Sequence, residues 1–155
     1  MLVMFTREEA SRIKQEFWTV FGKYMSPVPS AEGEKVGWIN YHTQVKDVYF
    51  RMDAGLKSAS IYISLEQPND AIRELYFEQL LQSKKMLHAA LGEEWDWKRD
   101  VLSEGKTVSR ISKTLPDVSV MNKDHWPDLI SFFKPRIIAL DAFWENAKYA
   151  FDGLK

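Results

Sequence analysis

Asp47 and Glu66 are the two residues whose type and placement most suggest catalysis. Each stands at the end of an alternating segment. Strand pairing would set them directly opposite, or diagonally at about 7 Å. Two carboxylates so placed can hold a magnesium ion, which activates a water and steadies a leaving oxygen. Nuclease chemistry of this kind also wants a lysine two residues past the second acid, to stabilise charge on the attacking water or scissile phosphate. That position is Pro68, which cannot serve. Only Lys14 or Lys46 could stand in, and Lys46 points to the apolar side by parity. Two solvated strand-end acids are the plainer and preferred reading. Asp53 is excluded as the partner of Glu66 because it lies six or eight positions down the strand, about 20–26 Å away at the usual rise.

Other chemistry is thin. Gly105-Lys106-Thr107 has the tail of a phosphate loop, but the earlier glycine position is Asp100 and the segment leads into a strand. No dinucleotide fingerprint, HExxH or nucleophile elbow occurs. His42, His88 and His125 stand far apart, and His88 sits at a helix end, where histidine often serves only as a dipole partner. No cofactor is implied. Zero cysteines exclude disulfides, thiol catalysis and Cys-based metal sites. They fit a reducing cytoplasm, the expected location.

Recognition is the stronger theme. Trp38, Tyr41, Tyr49, Tyr62, Trp95, Trp97 and Trp126 carry N–H and O–H groups that want partners, so they cannot all be buried with ease. The plainer reading is sheet-face packing. The functional one is a contact surface, with Trp38, Tyr41 and Arg51 as binding candidates. Lys134 and Arg136 flank Pro135 inside a helical pattern and are the other basic candidates. With 21 Lys+Arg against 22 Asp+Glu the net charge is −1, so bulk charge does not draw nucleic acid. If Arg51, Lys134 and Arg136 converged they would neutralise about three phosphates, too few for duplex binding at physiological salt. No apolar run approaches the ~18 residues of a membrane span and no charged-then-apolar leader opens the chain, so no membrane role is expected.

The elements that must position these residues follow from periodicity. Thr6-Arg7-Glu8-Glu9 reads as a capping box, and Ala10, Ile13, Phe17, Phe21 and Tyr24 follow at helical spacing until Pro27 and Pro29. Val36–Tyr41, Lys46–Ala54 and Ser58–Glu66 read as strands. In the last two, apolar positions are even and odd respectively, so paired residue numbers must total an odd value such as 111 or 113 for the apolar faces to coincide. Asn69 or Asp70 caps a second helix with Ile72, Leu75, Tyr76, Leu80, Leu87 and Leu91 as its stripe and Gly92 at its end. Trp95–Val101 and Thr107–Leu115 read as strands joined through Ser103-Glu104-Gly105-Lys106, and Val118–Met121 as an extension of the sheet. A last helix spans about 124–151, kinked at Pro135 because the Ser131 carbonyl loses its donor. The expectation is one α+β domain over residues 1–155, with a largely antiparallel sheet of about five strands and three helices packed on it. Helix, three strands, helix and strand is also the core order of restriction-endonuclease-like folds, which is what gives Asp47 and Glu66 their interest.

Several aromatic-rich blocks carry a resemblance: Phe17-Trp18-Thr19-Val20-Phe21-Gly22, Gly37-Trp38-Ile39-Asn40-Tyr41, Val48-Tyr49-Phe50-Arg51-Met52-Asp53, Ser131-Phe132-Phe133-Lys134-Pro135-Arg136 and Asp141-Ala142-Phe143-Trp144. Together they resemble the bacterial domain-of-unknown-function 4268 family over nearly the whole chain. The resemblance implies a domain found alone or as the C-terminal part of longer, nuclease-like proteins, and by analogy a link to restriction or defence systems. It supplies no activity and no catalytic residues. The expected function is a non-catalytic accessory domain that binds a protein partner or its own copy. The alternatives are a degenerate or divergent restriction-endonuclease-like domain using Asp47 and Glu66, and a nucleic-acid-binding module using Arg51, Lys134 and Arg136.

Overall fold

Alternation in two adjacent segments builds the first hairpin of the computed structural model, which describes residues 5–154. The outermost residues of the expected domain, 1–4 and 155, lie outside the described range. β1 (Val48–Ala54) and β2 (Ser58–Leu65) pair antiparallel from Val48↔Leu65 to Ala54↔Ala59, so paired numbers total 113. This is one of the totals parity demands, and it puts Val48, Phe50, Ile61, Ile63 and Leu65 on one buried face. The turn between the strands needs glycine. The Gly55 N–H donates to the Ser58 carbonyl at 2.9 Å, and a Cβ on Gly55 would lie 2.9 Å from that same oxygen.

The second hairpin joins β3 (Asp96–Ser103) to β4 (Lys106–Pro116). Its two-residue loop, Glu104-Gly105, has φ of 49° and 79°, the signs a type I′ turn requires. β4 pairs with β2, giving one antiparallel sheet of four strands in the order β1-β2-β4-β3. The ladder of β3 slips between Lys98 and Val101. Asp100, within that bulge, has φ of 53°.

The helices gather on the apolar face of the sheet. α1 (Arg7–Met25) starts where Thr6 caps the Glu9 N–H at 3.0 Å, as the capping-box pattern indicates. Its Phe17 and Phe21 meet Phe133 of α4 (Trp126–Ala147), and Trp144 of α4 meets Phe50 edge-on at 5.4 Å between ring centres. α2 (Asp70–Gln82) brings Phe77 against Trp97 of β3. α3 (Lys84–Leu91) ends at Gly92, whose φ of 70° is the left-handed cap that glycine supplies. Among the described residues, no helix is long and apolar enough to cross a membrane.

Five expectations are corrected. Val36–Tyr41 is not a strand: Trp38 turns its indole N–H to the Val28 carbonyl at 2.9 Å and Tyr41 its hydroxyl to Asp141 at 2.6 Å, so side chains hold this segment in place of a ladder. Val118–Met121 adds no strand either, although Val118 and Val120 donate to the Lys57 and Gly55 carbonyls. The sheet thus has four strands where about five were expected. The expected second helix breaks at Ser83, whose N–H folds back to the Leu80 carbonyl, so four α-helices replace three. The last helix stops at Ala147 and tightens into a 3₁₀ segment, Lys148–Leu154. Pro135 lies inside α4, as its place in the pattern indicates. The stripes also rotate: Met25, not Tyr24, is buried in α1, while Ile72 and Leu75 of α2 are exposed and Arg73 is buried.

Arg73 explains that rotation. Its side chain is 1% exposed, and its guanidinium donates to the Gln67 carbonyl at 2.9 Å, to Asp70 at 2.6 Å and to Asp100 at 2.8 Å. Burial works against the charge, but the hydrogen bonds to Asp100 and Asp70 outweigh it and hold the pKa above the ordinary arginine value. One cation thus joins the end of β2, the first turn of α2 and the bulge of β3. Arg73→Met keeps the stem volume and removes these bonds. It should cost about 2–4 kcal/mol in urea unfolding, because the Gln67 carbonyl loses its donor and two carboxylates lose their counter-charge. A midpoint equal to that of the parent chain would show that Arg73 does not fasten these three elements.

Candidate functional site

A concavity of about 810 Å³ crosses the outer edge of β1. One wall lies on the helix side: Trp18 of α1, Ile39–His42 of the connection into β1, and the inward residues Phe50 and Met52. The other wall is the polar face of the sheet, where parity places Tyr49, Arg51 and Asp53 beside Ser60, Tyr62 and Glu66, then Arg110 and Val108. Ser103, Glu104 and Lys106, around the β3–β4 turn, close that side.

Three charges on the polar wall, Arg51, Glu66 and Lys106, are matched to one another. Arg51 makes a two-pronged contact to Glu66, Nε to Oε2 at 2.8 Å and Nη2 to Oε1 at 3.1 Å. Lys106 approaches the same carboxylate at 3.8 Å. Burial pushes the Glu66 pKa up, but the Arg51 hydrogen bonds and the positive charges of Arg51 and Lys106 outweigh that and leave it below 4.5. The Arg51 guanidinium lies 4.3 Å from the centre of the Tyr49 ring, and that of Arg110 lies 4.5 Å from Tyr62. Arg110 also donates to Ser103, while its buried Nε finds no acceptor among the described residues.

The edge between the walls has open backbone. The Glu66 N–H donates to the Asp47 carbonyl at 2.8 Å and the Gly55 N–H donates to Ser58, so the odd-numbered positions of β1 bond to β2. The even positions therefore point outward. Val48 is already satisfied, its N–H on the Val45 carbonyl and its own carbonyl accepting from the Thr43 hydroxyl at 2.7 Å. Phe50 and Met52 follow with no such partner among the described residues, and both line the groove.

The candidates from sequence separate on this map. Glu66 does stand opposite Asp47, as a total of 113 requires, but its carboxylate is turned to Arg51. Asp47 occupies the left-handed region with φ of 63°. Among the described residues no three His, Asp or Glu side chains converge as a metal site. Arg51 and Tyr41 line the groove, whereas Trp38 is 3% exposed and belongs to the core. Arg136 is committed to Glu93 through bonds of 2.9 and 3.0 Å, and Lys134 lies over Tyr24 at 4.7 Å, so neither joins Arg51. Most indoles have internal acceptors: Trp95 on Glu93, Trp97 on His88, Trp126 on Val120 and Trp144 on Thr43. Sequence reasoning missed Trp18, Lys106 and Arg110. Arg110 was within reach, since alternation along Val108–Ser112 puts it on the polar face beside Tyr62.

A family model described as a domain of unknown function, DUF4268, matches residues 13–148. The chain belongs to this family. The match includes both walls of the groove and the whole of the sheet. No curated protein and no solved structure matches the DUF4268 chain.

The Arg51–Glu66 contact makes two expectations measurable. In the unfolded chain Glu66 titrates near 4.5, and in the fold it titrates lower. Between those values the unfolded chain binds more protons, so this contribution is complete above about pH 4.5 and is lost as pH falls through the folded value. Glu66→Gln should therefore flatten the acid limb of a stability–pH curve, and an unchanged limb would remove the ion pair from the account. Because a metal would have to displace Arg51, millimolar Mg²⁺ or Mn²⁺ should leave Tm unchanged. A rise in Tm that Glu66→Ala abolishes would show metal binding at this carboxylate.

Proposed function

We propose that this domain is a non-catalytic interaction domain that receives an extended segment of protein along the edge of β1. The observation that carries the reading is the pair of outward, unpartnered backbone positions, Phe50 and Met52, on the floor of the groove. An unpaired strand edge binds backbone with backbone, and the pockets beside it choose side chains. On the helix side Trp18, Ile39 and Met52 favour apolar residues of the incoming strand. On the sheet side Tyr49, Arg51 and Asp53 favour polar ones. The accessory role in restriction or defence systems that the resemblance implies belongs to this proposal and adds no chemistry to it.

The alternatives draw less support. A restriction-endonuclease-like site needs Glu66 free for metal, and a nucleic-acid site needs Arg51, Lys134 and Arg136 together. The first carboxylate is held by Arg51, and the last two cations have separate contacts.

Selection from a displayed library of random peptides tests the proposal. Binders should be extended, and Met52→Pro should weaken them at least tenfold. Proline removes the outward N–H yet is tolerated on an edge strand. Amide exchange gives a second measurement on the unaltered chain: adding a selected peptide should slow exchange at Phe50 and Met52. Binders that leave both amides exchanging freely would overturn the reading. So would cleavage of DNA in Mg²⁺ that is lost in Glu66→Ala.

A further inference from the structure

Of the sheet arginines, Arg51 of β1 and Arg99 of β3 are neutralised by carboxylates. Arg110 of β4 is half-buried, yet among the described residues no carboxylate lies within ion-pair distance of it. Its guanidinium rests on the Tyr62 ring at 4.5 Å, and its Nη2 donates to the Ser103 hydroxyl. Nε is buried without an acceptor, and Nη1 finds none among the described residues. A cation so held has given up water without gaining a counter-charge. An oxyanion laid against the Nη1–Nη2 end of the guanidinium would supply one through two parallel N–H bonds.

Two further donors stand at the same place. Ser103 and Lys106 are partners across the β3–β4 turn, so their side chains share the polar face. Arg110, four residues along β4, reaches back past Val108 to touch Ser103. The Ser103 oxygen is the acceptor in that bond, so its own hydrogen remains to be donated. Lys106 is 69% exposed and approaches Glu66 at 3.8 Å, so its ammonium is loosely held. The acids of this wall are Asp53, Glu66 and Glu104. Glu66 is gripped by Arg51 through both oxygens, and Asp53 lies far along β1, opposite Ser60. Glu104, exposed on the turn itself, is the acid that opposes an incoming anion.

We propose that Arg110, Ser103 and Lys106 hold the oxyanion of a ligand, a phosphate or a carboxylate, at the β3–β4 end of the cleft. The rest of the cleft is room for the body of that ligand. The site lies on the sheet face and requires no strand docked at β1.

An NMR titration of the full ¹⁵N-labelled chain tests it, with chloride exchanged for inorganic phosphate or for acetate at constant ionic strength. The Arg110 Nε–H and the amides of Ser103 and Lys106 should shift and saturate with at least one probe. Saturation by phosphate alone assigns a phosphate ligand, and by acetate alone a carboxylate. Arg110→Met, which keeps the stem beside Val108, should weaken binding at least tenfold. Lys106→Gln should weaken it about threefold and Glu104→Gln should tighten it, while Lys134→Gln, on α4, should leave it unchanged. If Arg110→Met does not fold, the opposite effects of Lys106→Gln and Glu104→Gln decide in its place. No saturable shift with either probe, binding that folded Arg110→Met leaves intact, or equal effects of Lys106→Gln and Lys134→Gln would overturn the assignment. The reading of β1 as a docking edge is untouched by that failure, since its reporters are the amides of Phe50 and Met52.

Discussion

The hydrogen-bond phase of β1 governs the rest of the molecule. Because Asp47 and Gly55 bond toward β2, the odd positions between them do so as well, and the even positions face away. The same parity sends Phe50 and Met52 to the helix side and Tyr49, Arg51 and Asp53 to the polar side. A shift of one residue would bury Arg51 and expose Phe50, which the aromatic contacts of Phe50 with Tyr41 and Trp144 forbid. The groove, its two unlike walls and its open backbone all descend from that one choice.

Around the sheet the protein neutralises its buried and half-buried charges with forked arginines. Arg73 and Arg136 each bind more than one residue and join segments far apart in sequence, while Arg51 grips both oxygens of Glu66 across one hairpin. A flexible lysine would lose more freedom per bond formed than a guanidinium does. The consequence for function is subtractive. Glu66 and Glu93, which look like available acids in the sequence, have such partners, and both titrate below the usual carboxylate value. Both carboxylates are thereby committed to ion pairs within the fold.

Local signals were legible where one physical cause acted alone. The cap at Thr6, the turn at Glu104-Gly105, the left-handed Gly92 and the register total of 113 follow from residue type and parity, and the structure has them. The misses arise where a distant side chain overrides the local pattern. Trp38 and Tyr41 sit in a segment that alternates like a strand, yet each spends its polar atom on a remote acceptor. Apolar spacing runs the α2 stripe through Ile72 and Leu75, but Arg73 is the buried side chain, and Asp100, which accepts from it, is 27 residues away. Glu66 was legible as a strand-end acid opposite Asp47. Its capture by Arg51 depends on a long side chain reaching diagonally, which pattern alone does not report.

The connection from α1 into β1 has a further implication. Asp141 of α4 accepts both the Ala31 N–H at 2.7 Å and the Tyr41 hydroxyl at 2.6 Å, and burial together with that hydrogen bond pushes the Tyr41 pKa far up. One carboxylate therefore clasps two points of a segment that has no ladder of its own, across separations of 110 and 100 residues. Trp38, Thr43 and Val45 of the same segment are buried and Tyr41 stacks on Phe50, so side-chain packing supplies what a ladder would. Since Ile39 to His42 form one wall of the groove, that wall takes its position from a carboxylate on α4, 100 residues after Tyr41.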